Sequence, residues 1–113
     1  MDAGATVWTE ICAVSRIPIA CGVGALLPDG EQVAIFRTTD EEILAIGNID
    51  PISGAAVLSR GIVGDADGVP CVASPIYKER FDLRSGACLD DPDMSVPTYP
   101  VRVEAGVIYV GSA

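Results

Sequence analysis

The strongest constraint on this chain is how often its apolar runs stop. Short stretches rich in Val, Ile and aromatic residues recur along the sequence, each closed by Gly, Pro, Asp or Asn before an amphipathic helix could be completed. Residues 7–12 read as a first strand, with Trp8 as its largest apolar anchor. Residues 23–27 and Gln32–Arg37 flank Pro28-Asp29-Gly30-Glu31, whose Pro-Asp-Gly order is a turn signal. Residues 42–46 follow and end at Gly47-Asn48. From 47 to 69 the pattern is least regular, with a short strand predicted at 57–58 and a turn cluster at Gly64-Asp65-Ala66-Asp67-Gly68. Further strands are expected at 70–74 and in a hairpin of 81–83 with 87–89 around Arg84-Ser85-Gly86. Pro97 and Pro100 keep the next segment extended. Val101–Glu104 alternates strictly, as a half-buried strand does, and Ala105-Gly106 turns it into 107–110. The one weak helix candidate is 39–44, with Asp40 as its cap. The expectation is an all-β antiparallel sandwich or barrel, one domain over 1–113 with its core at about 7–110.

Charge and hydropathy narrow the partners. Sixteen acidic against seven basic residues give a net charge of −9, which repels phosphate backbones and anionic membrane surfaces. Nucleic acid and membrane are therefore not expected partners. The longest apolar stretch, 17–27, is broken by Pro18 and Gly22 and is too short to span a bilayer. Met1-Asp2-Ala3-Gly4 is acidic where a secretory signal is basic, so a cytoplasmic protein is expected. Cys12, Cys21, Cys71 and Cys88 are scattered, with no Cys-x-x-Cys pair and no histidine to complete a metal site. Cys12, Cys71 and Cys88 lie among apolar strand residues and read as small hydrophobes, with a redox disulfide or an adventitious metal as the alternative.

Two stretches carry a resemblance. Asp50-Pro51-Ile52, with Leu58-Ser59-Arg60-Gly61 after it, precedes Ser74-Pro75-Ile76-Tyr77-Lys78 and Phe81-Asp82-Leu83-Arg84-Ser85-Gly86. This resembles the framework of a Rieske domain, in which Cys-Pro-His comes first and Cys-Pro-x-His-Gly precedes Phe-Asp-Leu-x-x-Gly. A Rieske [2Fe–2S] centre takes two thiolates and two imidazoles. Here Asp50 and Ser74 stand at the thiolate positions, and Ile52 and Tyr77 at the imidazole positions. The resemblance implies a Rieske-like fold without its cluster, and no cofactor or metal held by this chain.

Several further stretches are similar to one cluster-less branch: Val7-Trp8-Thr9, Gln32–Arg37, Gly47-Asn48-Ile49-Asp50-Pro51, Leu58-Ser59-Arg60-Gly61, Ala73-Ser74-Pro75 and Tyr99-Pro100-Val101-Arg102-Val103. Together they resemble the small subunit of the NAD(P)H-dependent nitrite reductase, which reduces nitrite to ammonium. That resemblance implies a large-subunit partner carrying FAD, an iron–sulfur cluster and siroheme, and an accessory role for the small chain. The rival readings are a Rieske-type ferredoxin using its four cysteines, and a binding module of another oxidoreductase.

At the degenerate site, Ile52 and Tyr77 are expected to plug the space of the missing cluster, each contributing roughly 1.5–3 kcal/mol if fully buried. A structural metal can contribute on the order of 10 kcal/mol, so looser loops are expected at 47–61 and 74–80. Asp50 and Ser74, each before proline, read as turn starters. Asp65-Ala66-Asp67-Gly68 lacks the acidic spacing of a calcium loop. Arg60, Lys78, Tyr77, Asn48, Pro51 and Pro75 are the partner-binding candidates, with Tyr99 on weaker grounds. Serine and cysteine nucleophiles have no histidine to activate them, and no paired carboxylates share an evident cleft. No catalytic activity is expected of this chain alone.

Overall fold

The computed structural model describes residues 6–112; the acidic N-terminal tetrapeptide lies outside them. Among the described residues ten strands build three antiparallel sheets: β1 (Val7–Ala13), β2 (Cys21–Leu26), β3 (Gln32–Arg37), β4 (Ile43–Gly47), β5 (Ile62–Ala66), β6 (Val69–Ala73), β7 (Arg80–Asp82), β8 (Thr98–Tyr99), β9 (Val101–Glu104) and β10 (Val107–Ser112). The central sheet runs β2-β3-β4-β8; one flanking sheet runs β1-β10-β9 and the other β5-β6-β7.

β3 explains the layering. Val33, Ala34, Ile35 and Phe36 are all buried, so this strand is covered on both faces and shows no polar alternation. Ala34 and Phe36 join Ile46, Leu58, Val63, Val72, Phe81 and Leu83 in a core against β5-β6-β7. Val33 and Ile35 join Ile17, Leu27, Ile108 and Val110 in a second core against β10. The β2–β3 register pairs Leu26 with Gln32 and Cys21 with Arg37, as the intervening Pro-Asp-Gly turn predicts.

Four local expectations fail for physical reasons. Residues 39–44 form no helix: Thr38 Oγ1 accepts the Glu42 N–H and Glu41 takes a left-handed φ of 65°, so the chain turns tightly straight into β4. Residues 57–58 are not a strand; Leu58–Arg60 is a 3-10 turn that buries Leu58 under β3. The supposed turn cluster at 64–68 is mostly strand, with only Asp67 and Gly68 turning between β5 and β6. Val101–Glu104 is a strand, yet Val103 is 45 % exposed because it sits on the edge of its sheet. The 81–83/87–89 hairpin survives as a bridge between Phe81 and Cys88.

Candidate functional site

The site forms where two loops meet. The first, 48–61, leaves β4 and returns through the 3-10 turn; the second, 74–79, joins β6 to β7. The first loop is laced by its own backbone: Asp50 N–H donates to Ala55, Gly54 N–H to Asp50, and Leu58 N–H to Asn48. Asn48, a partner-binding candidate, is buried and accepts the Ser59 N–H on Oδ1 at 2.7 Å, so it shapes the loop. Gly61 allows close approach here, because a Cβ on it would run into the Ala73 carbonyl of β6. In the second loop, Ser74 N–H donates to Glu79 and Lys78 N–H to Ser74.

One side-chain contact ties the loops together. Ser74 Oγ donates to Asp50 Oδ2 at 2.6 Å, with both residues essentially inaccessible. Asp50 Oδ1 also accepts the Ile52 N–H at 2.8 Å, and Ser74 Oγ accepts the Ile76 N–H, so both residues also start the turns expected of them. Burial pushes the Asp50 carboxyl up, but the hydrogen bonds from Ser74, Ile52 and Ser53 outweigh it and leave its pKa below the ordinary value. A buried carboxylate thus remains ionised at neutral pH.

Ile52 and Tyr77 do not plug the interior. They are 38 % and 58 % exposed, and the Ser74–Asp50 hydrogen bond, not apolar filling, closes the gap between the loops. Ile49 and Ile76 are exposed on the same two loops, which together form the tip of the site. Pro51 is half-buried in it, while Pro75, Arg60 and Lys78 are exposed. Beside Arg60 an open groove of about 470 Å³ is lined by Leu26, Asn48 and Ser59. Tyr99 is half-buried on a neighbouring cavity of about 220 Å³.

A match to the family model described as the Rieske-like [2Fe-2S] domain covers residues 7–111. The nitrite reductase (NADH) small subunit of Escherichia coli K12 is 46 % identical over 102 residues, 89 % of this chain and 94 % of that one. The crystal structure of an NADH-dependent nitrite reductase small subunit from Mycobacterium tuberculosis superposes with a TM-score of 0.93 at 54 % identity, covering 96 % of this chain and 97 % of the other. The chain belongs to the Rieske-like family of nitrite reductase small subunits. A third relative is instructive in another way. The nitrite reductase [NAD(P)H] large subunit of Klebsiella oxytoca is 45 % identical over 105 residues, 93 % of this chain but only 11 % of that protein. A segment similar to this chain is therefore built into a polypeptide named as the large subunit.

The residues of this Rieske-like site do not fit the [2Fe–2S] group that the family description names. The sequence offers no imidazole, and the thiolate positions hold a hydroxyl and a carboxylate already bonded to each other. Among the described residues no group of three or more His, Cys, Asp or Glu side chains is placed to hold a metal ion. Cys71 and Cys88 are buried in the core, Cys12 is half-buried and Cys21 exposed, all as free thiols. Among the described residues no helix is long and apolar enough to cross a membrane.

Sequence reasoning placed these loops but missed the Ser74–Asp50 bond, which joins residues 24 apart. It also missed that Lys78 adopts left-handed backbone, with φ of 68°. The motif comparison held a signal for the second, since Lys78 stands at the glycine of Cys-Pro-x-His-Gly.

Proposed function

We propose that this chain is an accessory, non-redox small subunit of a cytoplasmic NAD(P)H-dependent nitrite reductase, one domain that binds the large subunit through the tip formed by loops 48–61 and 74–79. The FAD, iron–sulfur cluster and siroheme of the reaction belong to that partner, and this chain contributes contact. The observation that carries this reading is the Ser74–Asp50 hydrogen bond, which holds a Rieske loop pair together without iron. The Klebsiella large subunit, which contains a segment similar to this chain, supports the choice of partner. Arg60, Tyr77, Lys78, Pro51 and Pro75 are the contact residues of the proposal, with Asn48 as their support.

The partner's identity and the role are tested together by producing the large subunit with and without this chain. The two are expected to co-purify, and nitrite-dependent NAD(P)H oxidation is expected to fall when the small chain is absent. Equal turnover by the large subunit alone contradicts the proposal.

A further inference from the structure

We propose that Lys78, held in left-handed backbone, and Arg60 of the other loop present their unpaired cations to a carboxylate-bearing, apolar-rimmed surface of the nitrite reductase large subunit. This rests on the reading above and names the chemistry of the surface that the tip receives. Lys78 has φ of 68°, a conformation in which any Cβ is strained and glycine is not. The loop enforces it through the Ser74–Glu79 and Lys78–Ser74 backbone hydrogen bonds and the buried Ser74 side chain. Among the described residues the Lys78 ammonium has neither an ion-pair nor a hydrogen-bond partner to account for the strain.

The distribution of cations points the same way. Of seven Lys and Arg residues, Arg37, Arg80, Arg84 and Arg102 each pair with a carboxylate. Arg16, Arg60 and Lys78 do not among the described residues, and two of those three lie in the tip loops. The carboxylates of the same loops, Asp50 and Glu79, are buried and half-buried. The exposed charge of the tip is thus positive on a chain of net charge −9. The same two loops expose Ile49, Ile52, Ile76 and Tyr77. Cations on loops that also expose apolar and aromatic groups suit a partner surface whose carboxylates are rimmed by apolar groups, and such complementarity sets register and association rate.

The test measures binding of this chain to the purified large subunit at two salt concentrations, together with the melting temperature of each variant. Lys78→Gly is expected to raise Tm by roughly 4 °C, by releasing the strained backbone, yet to weaken binding by about fivefold or more. Lys78→Glu and Arg60→Glu are expected to weaken it by about tenfold or more and to reduce its salt dependence. Arg16→Glu, the same charge change away from the tip, is expected to leave affinity within about twofold. Unchanged binding by the tip variants overturns the proposal. So does equal weakening by Arg16→Glu, which makes the effect one of net charge, or self-association of the isolated chain that the tip variants abolish. A wild-type chain that does not bind the large subunit sinks the preceding reading and this one with it; wild-type binding with indifferent tip variants sinks this one alone.

Discussion

Replacing Ser74 by Ala removes one oxygen from the junction of the two loops. That oxygen donates to Asp50 Oδ2 at 2.6 Å and accepts the Ile76 N–H at 3.3 Å. Hydrogen bonds to a charged group contribute about 1.5–3 kcal/mol, and the value rises toward the top when the remaining partner is buried. Asp50 has no exposed surface through which water could replace the hydroxyl, which argues against the bottom of that range. It keeps the Ile52 N–H at 2.8 Å and the Ser53 N–H at 3.4 Å, so it is not orphaned. The expected loss is about 2 kcal/mol, a fall in Tm of roughly 10 °C for a chain of this size. Urea unfolding of Ser74→Ala, Asp50→Ala and the double variant measures it, with a coupling of at least about 1 kcal/mol expected between the two sites. Ser85→Ala, which removes an exposed hydroxyl accepting the Ala87 N–H, serves as control and should cost under about 0.5 kcal/mol. A Ser74→Ala loss no larger than the control's, or additive single losses, refutes the hydrogen bond as the tie that holds the loops.

Acid should expose the same tie. Asp50 and Asp90 both have folded pKa values below their ordinary 3.8, Asp90 at about 2 through its hydrogen bonds with Arg80. A carboxyl depressed on folding stabilises fully above its unfolded value and loses that contribution as pH falls through its folded value. Stability should therefore fall on acidification below about pH 4, and Asp50→Asn and Asp90→Asn should each flatten the curve in that window only; unchanged slopes count against the assignment. Gly86 has φ of 78°, and a Cβ there would meet the Val96 carbonyl, so Gly86→Ala should cost about 2–4 kcal/mol by chemical denaturation. A loss below about 1 kcal/mol would show that the turn relaxes freely.

What could be read from the sequence, and what could not, divides along a physical line. Gln32–Arg37 was located to the residue because a strand buried on both faces is a continuous apolar run bounded by a turn and a charge. Residues 39–44 misled because an aspartate before acidic and apolar residues caps a helix and also opens a turn; the Thr38 hydroxyl decided for the turn. β5 was obscured by Gly64, Asp65 and Ala66, weak strand formers held in place by pairing with Cys71, Pro70 and Val69. At the site, the substitution of all four ligand positions was plain from the motif alone. Its consequence was not, because Asp50 and Ser74 are each adequate local turn residues and only the packing of the central sheet against β5-β6-β7 brings them within hydrogen-bonding distance. The exposure of Ile52 and Tyr77 follows from that contact and could not be read from their apolar character.

The measurement that reaches the centre of the account is iron content and the visible spectrum, before and after dithionite, of the chain purified anaerobically from its own cells. A loop pair closed by a carboxylate and a hydroxyl, in a sequence without histidine, predicts substoichiometric iron and no reducible absorbance band. Two irons per chain with a band that bleaches on reduction would contradict it.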